Sequence, residues 1–147
     1  MISRVHREQV KALATGDMDR ASDLNESLSQ SERRSYNQYL SAVFSIFLEE
    51  QFKDELSRDA IAAFVANVRQ ELQSSPQAIK PWAMEGVIRA SCGEEFILDE
   101  ISGEEVLGTQ ILVVGVIGRT NPNISSQLDK FLDDAEALTE DWVQESD

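Results

Sequence analysis

The sequence predicts an all-α fold: a single-domain bundle of six to seven helices over residues 1–147, with a central apolar helix near 103–117. Three observations carry this expectation. Seven glycines and three prolines are too few for the many tight turns of a small all-β protein. Apolar residues recur three and four apart along most of the chain, the period of a one-sided helix. Two Ser-x-x-Glu signatures, at 29–32 and 102–105, stand directly before long apolar stretches, where a capping box would start a helix. With 147 residues, 41% of them hydrophobic, the chain can bury a core without disulfides or metal.

The elements follow in order. Ile2, Val5, Ala12 and Leu13 share one helical face, and Thr15-Gly16 ends the segment. Asp17 can cap a second helix with Met18, Ala21, Leu24 and Leu28 inward, so "ALATGDMDRA" reads as a tight helical hairpin with Gly as the left-handed stop. No second copy of this hairpin follows, and no repeat is inferred. Ser29 then opens the segment bearing Tyr36, Leu40, Val43, Phe44, Phe47 and Leu48, widened by Tyr39, Ile46 and Phe52; this should be the bundle's central element.

Ser57 caps the next helix, whose core face is Ile61, Phe64, Val65, Val68 and Leu72. Ser74-Ser75-Pro76 marks a sub-domain joint near 74–81. Pro81 suits the first turn of a helix through Trp82, Met84, Val87 and Ile88, stopped at Gly93. "GEEFILDEISGEE" reads as a loop pinned to the core by Phe96-Ile97-Leu98. The last helix should start near Ser125 and turn Leu128, Leu132, Ala135, Leu138 and Trp142 to one side.

The stretch "GTQILVVGVIGRTNPN", 108–123, has strand-like composition and invites a phosphate-loop reading. A nucleotide-hydrolase loop needs G-x-x-x-x-G-K-[ST]; Gly118 precedes Arg119-Thr120, but Val113 stands where the earlier glycine is required. The motif also needs a helix next, which "NPN" is expected not to supply. A dinucleotide fingerprint lacks the chain length for a crossover and a second strand. With Ser102 and Glu105 in front, the stretch reads instead as a buried helix, Gly108 and Gly115 lying near one face to admit a neighbour.

Charge narrows the function classes. The net charge is −14, and residues 74–147 hold four Lys/Arg against fifteen Asp/Glu. Such a surface repels a nucleic-acid backbone or an anionic membrane. No apolar run approaches the ~18 residues of a spanning helix. Met1-Ile2-Ser3-Arg4 leads into polar sequence without the apolar region of a signal peptide, and the single cysteine, Cys92, fits a reducing compartment, so a cytoplasmic protein is expected.

Reactive groups are sparse. One histidine, His6, and one cysteine cannot build a zinc site or a catalytic triad within one chain. No Glu-x-x-His pair or calcium-loop pattern is present. His6 is expected on a helix surface and Cys92 in the core; no cofactor, no metal and no catalysis are expected.

Carboxylates are the abundant group. Asp129, Asp133, Glu136 and Glu140, spaced four, three and four apart, form one stripe on the last helix, and Asp134 and Asp141 extend the charge around it. The plain reading is a solvated face, in which case neutralising all four should stabilise mildly by relieving repulsion. The functional reading makes these four a docking site for a basic protein partner. The leading function is thus a non-catalytic protein-interaction or regulatory module with an acidic C-terminal surface. The alternative is an acidic inhibitor of a basic target, an immunity-type protein or a nucleic-acid mimic. A carboxylate-metal hydrolase stands third. A homodimer is conceivable, with Arg33-Arg34 of one copy meeting the acidic half of another.

Overall fold

The computed structural model describes residues 4–71, 81–91 and 101–145; these form eight α-helices, and among them there is no strand. The protein is an all-α helical bundle. Helix α1 (Arg4–Thr15) and α2 (Met18–Glu26) make the expected hairpin. Gly16 sits at φ +84°, where a side chain would strain the backbone, and Asp17 N–H donates back to the Ala12 carbonyl at 2.9 Å. The Asp17 side chain accepts from the Arg20 N–H and so caps α2.

The inward face of α1 keeps Ala12 and Leu13, as expected, but is rotated away from Val5. His6, Gln9, Val10 and Leu13 are buried at i, i+3, i+4 and i+7, whereas Val5 is 36% exposed. His6, expected on the surface, is only 3% exposed and lies against Tyr36 with ring centroids 6.0 Å apart. Burial pulls its pKa below the ordinary 6.5, opposed by the charge of Glu32. Hydropathy rotated the helix away from this face because two of its four members are polar.

Helix α3 (Gln30–Gln51) is the spine, flanked by α6 on one side and α8 on another. Its start is a complete capping box: the Ser29 hydroxyl accepts from Glu32 N–H, and the Glu32 carboxylate accepts from Ser29 N–H. Those hydrogen bonds hold the Glu32 carboxyl below its usual range. Tyr36, Tyr39, Leu40, Val43, Phe44, Phe47 and Leu48 are all buried, each large side chain stabilising by ~1.5–3 kcal/mol relative to exposure. Helix α4 (Arg58–Glu71) is capped by the Ser57 hydroxyl, which accepts from Ala60 N–H at 3.1 Å, and buries Ile61, Phe64, Val65 and Val68. It pairs with α5 (Pro81–Ser91), which opens on Pro81 and buries Met84, Val87 and Ile88 but leaves Trp82 half-exposed. Ile2, Leu72, the Ser74-Ser75-Pro76 joint, Cys92, Gly93 and the Phe96-Ile97-Leu98 plug lie outside the described residues, as do the positions of 74–81 before Pro81.

The 108–123 stretch is helical: α6 runs Gly103–Thr120 and packs against α1, α3 and α5, with Val113, Val114 and Ile117 fully buried. Its cap is half of the expected box. Ser102 Oγ accepts from Glu105 N–H, but it also donates to the Glu105 carboxylate, which therefore does not reach back to the backbone. Gly115 faces the neighbouring α1, as expected, a Cβ there lying 3.4 Å from the Leu13 carbonyl, but the tightest approach falls on Gly118. A Cβ there would meet the Cβ, Cα and O of Ala14 at 2.6–2.7 Å, so α1 crosses α6 with glycine against alanine.

"NPN" does start a helix, contrary to expectation. Asn121 closes α6 through its N–H to the Ile117 carbonyl, while its side-chain oxygen accepts from Asn123 and Ile124 N–H to cap the short α7 (Pro122–Ser126). Pro122 occupies the first turn, where no N–H is required. Gln127 breaks the path, and α8 (Leu128–Glu145) then lies along α3. Among the described residues, no helix is long and apolar enough to cross a membrane.

Candidate functional site: the two flanks of helix α8

Helix α8 is held by Phe131, Leu132, Ala135 and Thr139, buried at helical spacing, which turns the acids outward. The Tyr39 hydroxyl of α3 donates to the Leu132 carbonyl at 3.3 Å, and Phe47 meets Phe131 edge-on with centroids 6.4 Å apart. The rotation of α8, and so the direction of each carboxylate, is set by α3.

Three of the four stripe acids face a cation from α1. Arg7 Nη1 donates to Asp133 Oδ1 at 2.6 Å and to Glu136 Oε1 at 3.3 Å. Its Nη2 donates to Asp129 at the backbone O, 3.1 Å, and at Oδ1, 3.3 Å. Lys11, one turn further along α1, adds an Nζ contact to Asp129 Oδ1 at 3.2 Å. The Arg7 side chain is 22% exposed, against 69% for Asp129 and Asp133. Burial pulls the Arg7 pKa down, but hydrogen bonds to Asp133, Glu136 and Asp129 together outweigh it and hold the guanidinium above its ordinary value. Lys11, then Arg7, holds the Asp129 carboxyl below its usual range. Glu140, the fourth member, is exposed and makes no ion pair among the described residues.

This arrangement reverses one expectation. Like-charge repulsion along the stripe is offset inside the fold, so neutralising the acids deprives Arg7 of its charged partners instead of relieving strain. The responsible residue precedes the stripe by more than a hundred positions, and no local pattern in α8 could reveal it.

The opposite flank of α8 forms an open groove with α3, about 390 Å³ in volume, in which Ile46, Phe131 and Leu138 alternate with Glu49, Glu50 and Asp134. Glu50 is occupied: Lys53 Nζ at 2.7 Å and then Asn123 Nδ2 at 3.0 Å hold its carboxyl below the usual range. Lys130 stands at one side of the groove, its Nζ 5.5 Å from the centre of the Phe131 ring. Glu49 and Asp134 are exposed and have no ion pair among the described residues. Asp141 is exposed further along, and Trp142, expected on the inward side, is 37% exposed on the last turns. The sequence places Ile46 on the widened apolar stripe of α3, and nothing in it singles out Glu49, an acid that follows a core leucine.

Among the described residues, no group of three or more His, Cys, Asp or Glu is placed to hold a metal ion. No known protein family, curated protein or solved structure matches the chain.

Proposed function

We propose that the protein is a non-catalytic interaction module that docks a Lys/Arg-rich partner protein along the α3–α8 side of its acidic surface. The observation supporting this reading is the composition of the groove: an apolar floor of Ile46, Phe131 and Leu138 bordered by Glu49 and Asp134, two acids with no cation of their own among the described residues. A basic amphipathic helix would bury its apolar face on that floor and set its cations against the borders. Glu140 and Asp141 extend the negative field and steer approach. Asp129, Asp133 and Glu136 contribute to that field, but Arg7 and Lys11 already engage them. An acidic inhibitor that mimics nucleic acid needs a continuous array of unneutralised acids, and Arg7 interrupts that array, which favours the docking module over this alternative.

The test uses a fluorescent helical peptide of Leu and Lys in amphipathic register. Glu49→Gln with Asp134→Asn should weaken its binding severalfold at low salt, mostly through slower association. Asp19→Asn with Asp23→Asn, which removes equal charge from α2, should leave binding near that of the parent. Equal weakening by both pairs would mean diffuse attraction with no docking site.

A further inference from the structure

The apolar floor of the α3–α8 groove belongs to a row of α8 that continues past it. Phe131, Leu138 and Trp142 stand at i, i+7 and i+11, within about 40° of one another around the helix axis. Phe131 is 8% exposed, Leu138 half-buried and Trp142 37% exposed, so the row loses its cover toward the end of the helix. On the docking reading above, on which this rests, we infer that the groove runs on to Trp142 and takes a basic helix of at least three turns, with two cations seven residues apart set against Asp134 and Asp141.

The spacing follows from α8 itself. Asp134 borders the groove, and Asp141, seven residues on, continues the same edge beside Trp142. Both are exposed and neither has an ion pair among the described residues. They lie about 10 Å apart along the axis, a step that a helix packed along α8 matches with residues seven apart. Cations three apart would meet one of the two acids only. At the opposite end Lys130, with its Nζ 5.5 Å from the Phe131 ring centre, repels a partner's cation. The stretch from Phe131 to Trp142 is about 16 Å long, which sets the three turns. An exposed tryptophan at the end of an apolar row is the kind of side chain that anchors a partner. A second copy of this chain, itself at −14, would bring acids against acids.

The experiment uses the full chain with Trp82→Phe, which leaves Trp142 as its one tryptophan. Two amphipathic helical peptides of equal composition carry two Lys, seven apart in the first and three apart in the second. The first should blue-shift the Trp142 emission, shield it from acrylamide quenching, and bind about threefold more tightly than the second, as one rim ion pair would give. Asp141→Asn should abolish that preference. Should Trp82→Phe fold poorly, the indole N–H resonance of Trp142 in the parent reads the same contact. Equal affinity for the two peptides overturns the inference. So does binding that Glu49→Gln with Asp134→Asn weakens while Trp142 is left unmoved, and that result spares the docking module. No binding of either peptide overturns both. Shielding of Trp142 that grows with protein concentration alone would give the row to a second copy and overturn the inference as well.

Discussion

Helix α8 has an acidic flank on either side, and the fold treats the two in opposite ways. On the α1 flank, Arg7 and Lys11 gather Asp129, Asp133 and Glu136 into a closed ionic seam. On the α3 flank, Glu49 and Asp134 border an apolar floor, and among the described residues only Glu50 has a cation of its own. Counting acids on a helix therefore does not count the charge available to a partner. What decides availability is whether a distant element delivers a cation to that flank, and α1 delivers it to one side only.

The strongest way to break the contrast is to move α1. Gly118→Ala would place a methyl group against the backbone of Ala14 at 2.6–2.7 Å. Alanine favours a helix by ~1 kcal/mol over glycine, yet overpacking against backbone should outweigh this for a net loss of about 2 kcal/mol. Gly103→Ala, with nothing within 4 Å of the new methyl, should be neutral or mildly stabilising. Thermal or urea unfolding of the pair checks both signs; a Gly118→Ala protein as stable as the parent would mean that α1 slides freely on α6.

A smaller effect isolates the seam itself. Arg7→Met keeps the apolar stem but removes the shared cation, and should destabilise by about 1 kcal/mol after allowance for solvent screening, less at high salt. Neutralising Asp129, Asp133, Glu136 and Glu140 together should lower the melting temperature at low ionic strength. In a background that carries both Arg7→Met and Lys11→Met, which removes the second cation on Asp129 as well, the same four changes should raise it, because only repulsion then remains. A rise in both backgrounds would show that the seam contributes nothing. Glu49→Gln with Asp134→Asn, on the open flank, should stay within about 0.5 kcal/mol of the parent in the same unfolding measurement.

The pH dependence separates the seam from the buried histidine beneath α1. The folded His6 pKa lies below its unfolded 6.5, so its contribution is present above pH 6.5 and lost as pH falls through the lower folded value. Asp129, Glu32 and Glu50 are depressed from 3.8, 4.5 and 4.5, so their contributions fade only below those values. A stability decline between pH 6.5 and 4.5 should therefore come mainly from His6, the one histidine in the chain, and His6→Asn should flatten it. An equal slope in that variant would assign the decline elsewhere.

What was legible in the sequence divides along the range of the interactions. Helices α3, α6 and α8 are written in local period; the cap of α3, Ser29 with Glu32, emerges as expected, α6 keeps half of its own, and α8 begins at Leu128, past the expected Ser125. Asn121 was misjudged because a proline reads as a stop unless the preceding residue can cap, which its side chain does. His6 reads as a surface residue by its polarity, although Tyr36 of α3 packs against it, and the burial of Gln9 has no local signal. The Arg7 seam was beyond reach for a plainer reason: neither α1 nor α8 contains any signal of the other. The groove was legible only in part: Ile46 and Leu138 stand in apolar stripes, whereas no local pattern singles out Phe131 or Glu49.

The seam joins residues 118 to 129 positions apart, so it also dates the moment at which the fold is finished. Synthesis proceeds from α1 toward α8, and the hairpin and the spine exist long before their last partner. Until Phe131 and Leu132 arrive, the side of α3 that carries Tyr39 and Phe47 lies bare, and Arg7 has no α8 carboxylate to bind. A product cut short before α8 would therefore show chaperones and proteases an apolar ridge that the finished chain conceals.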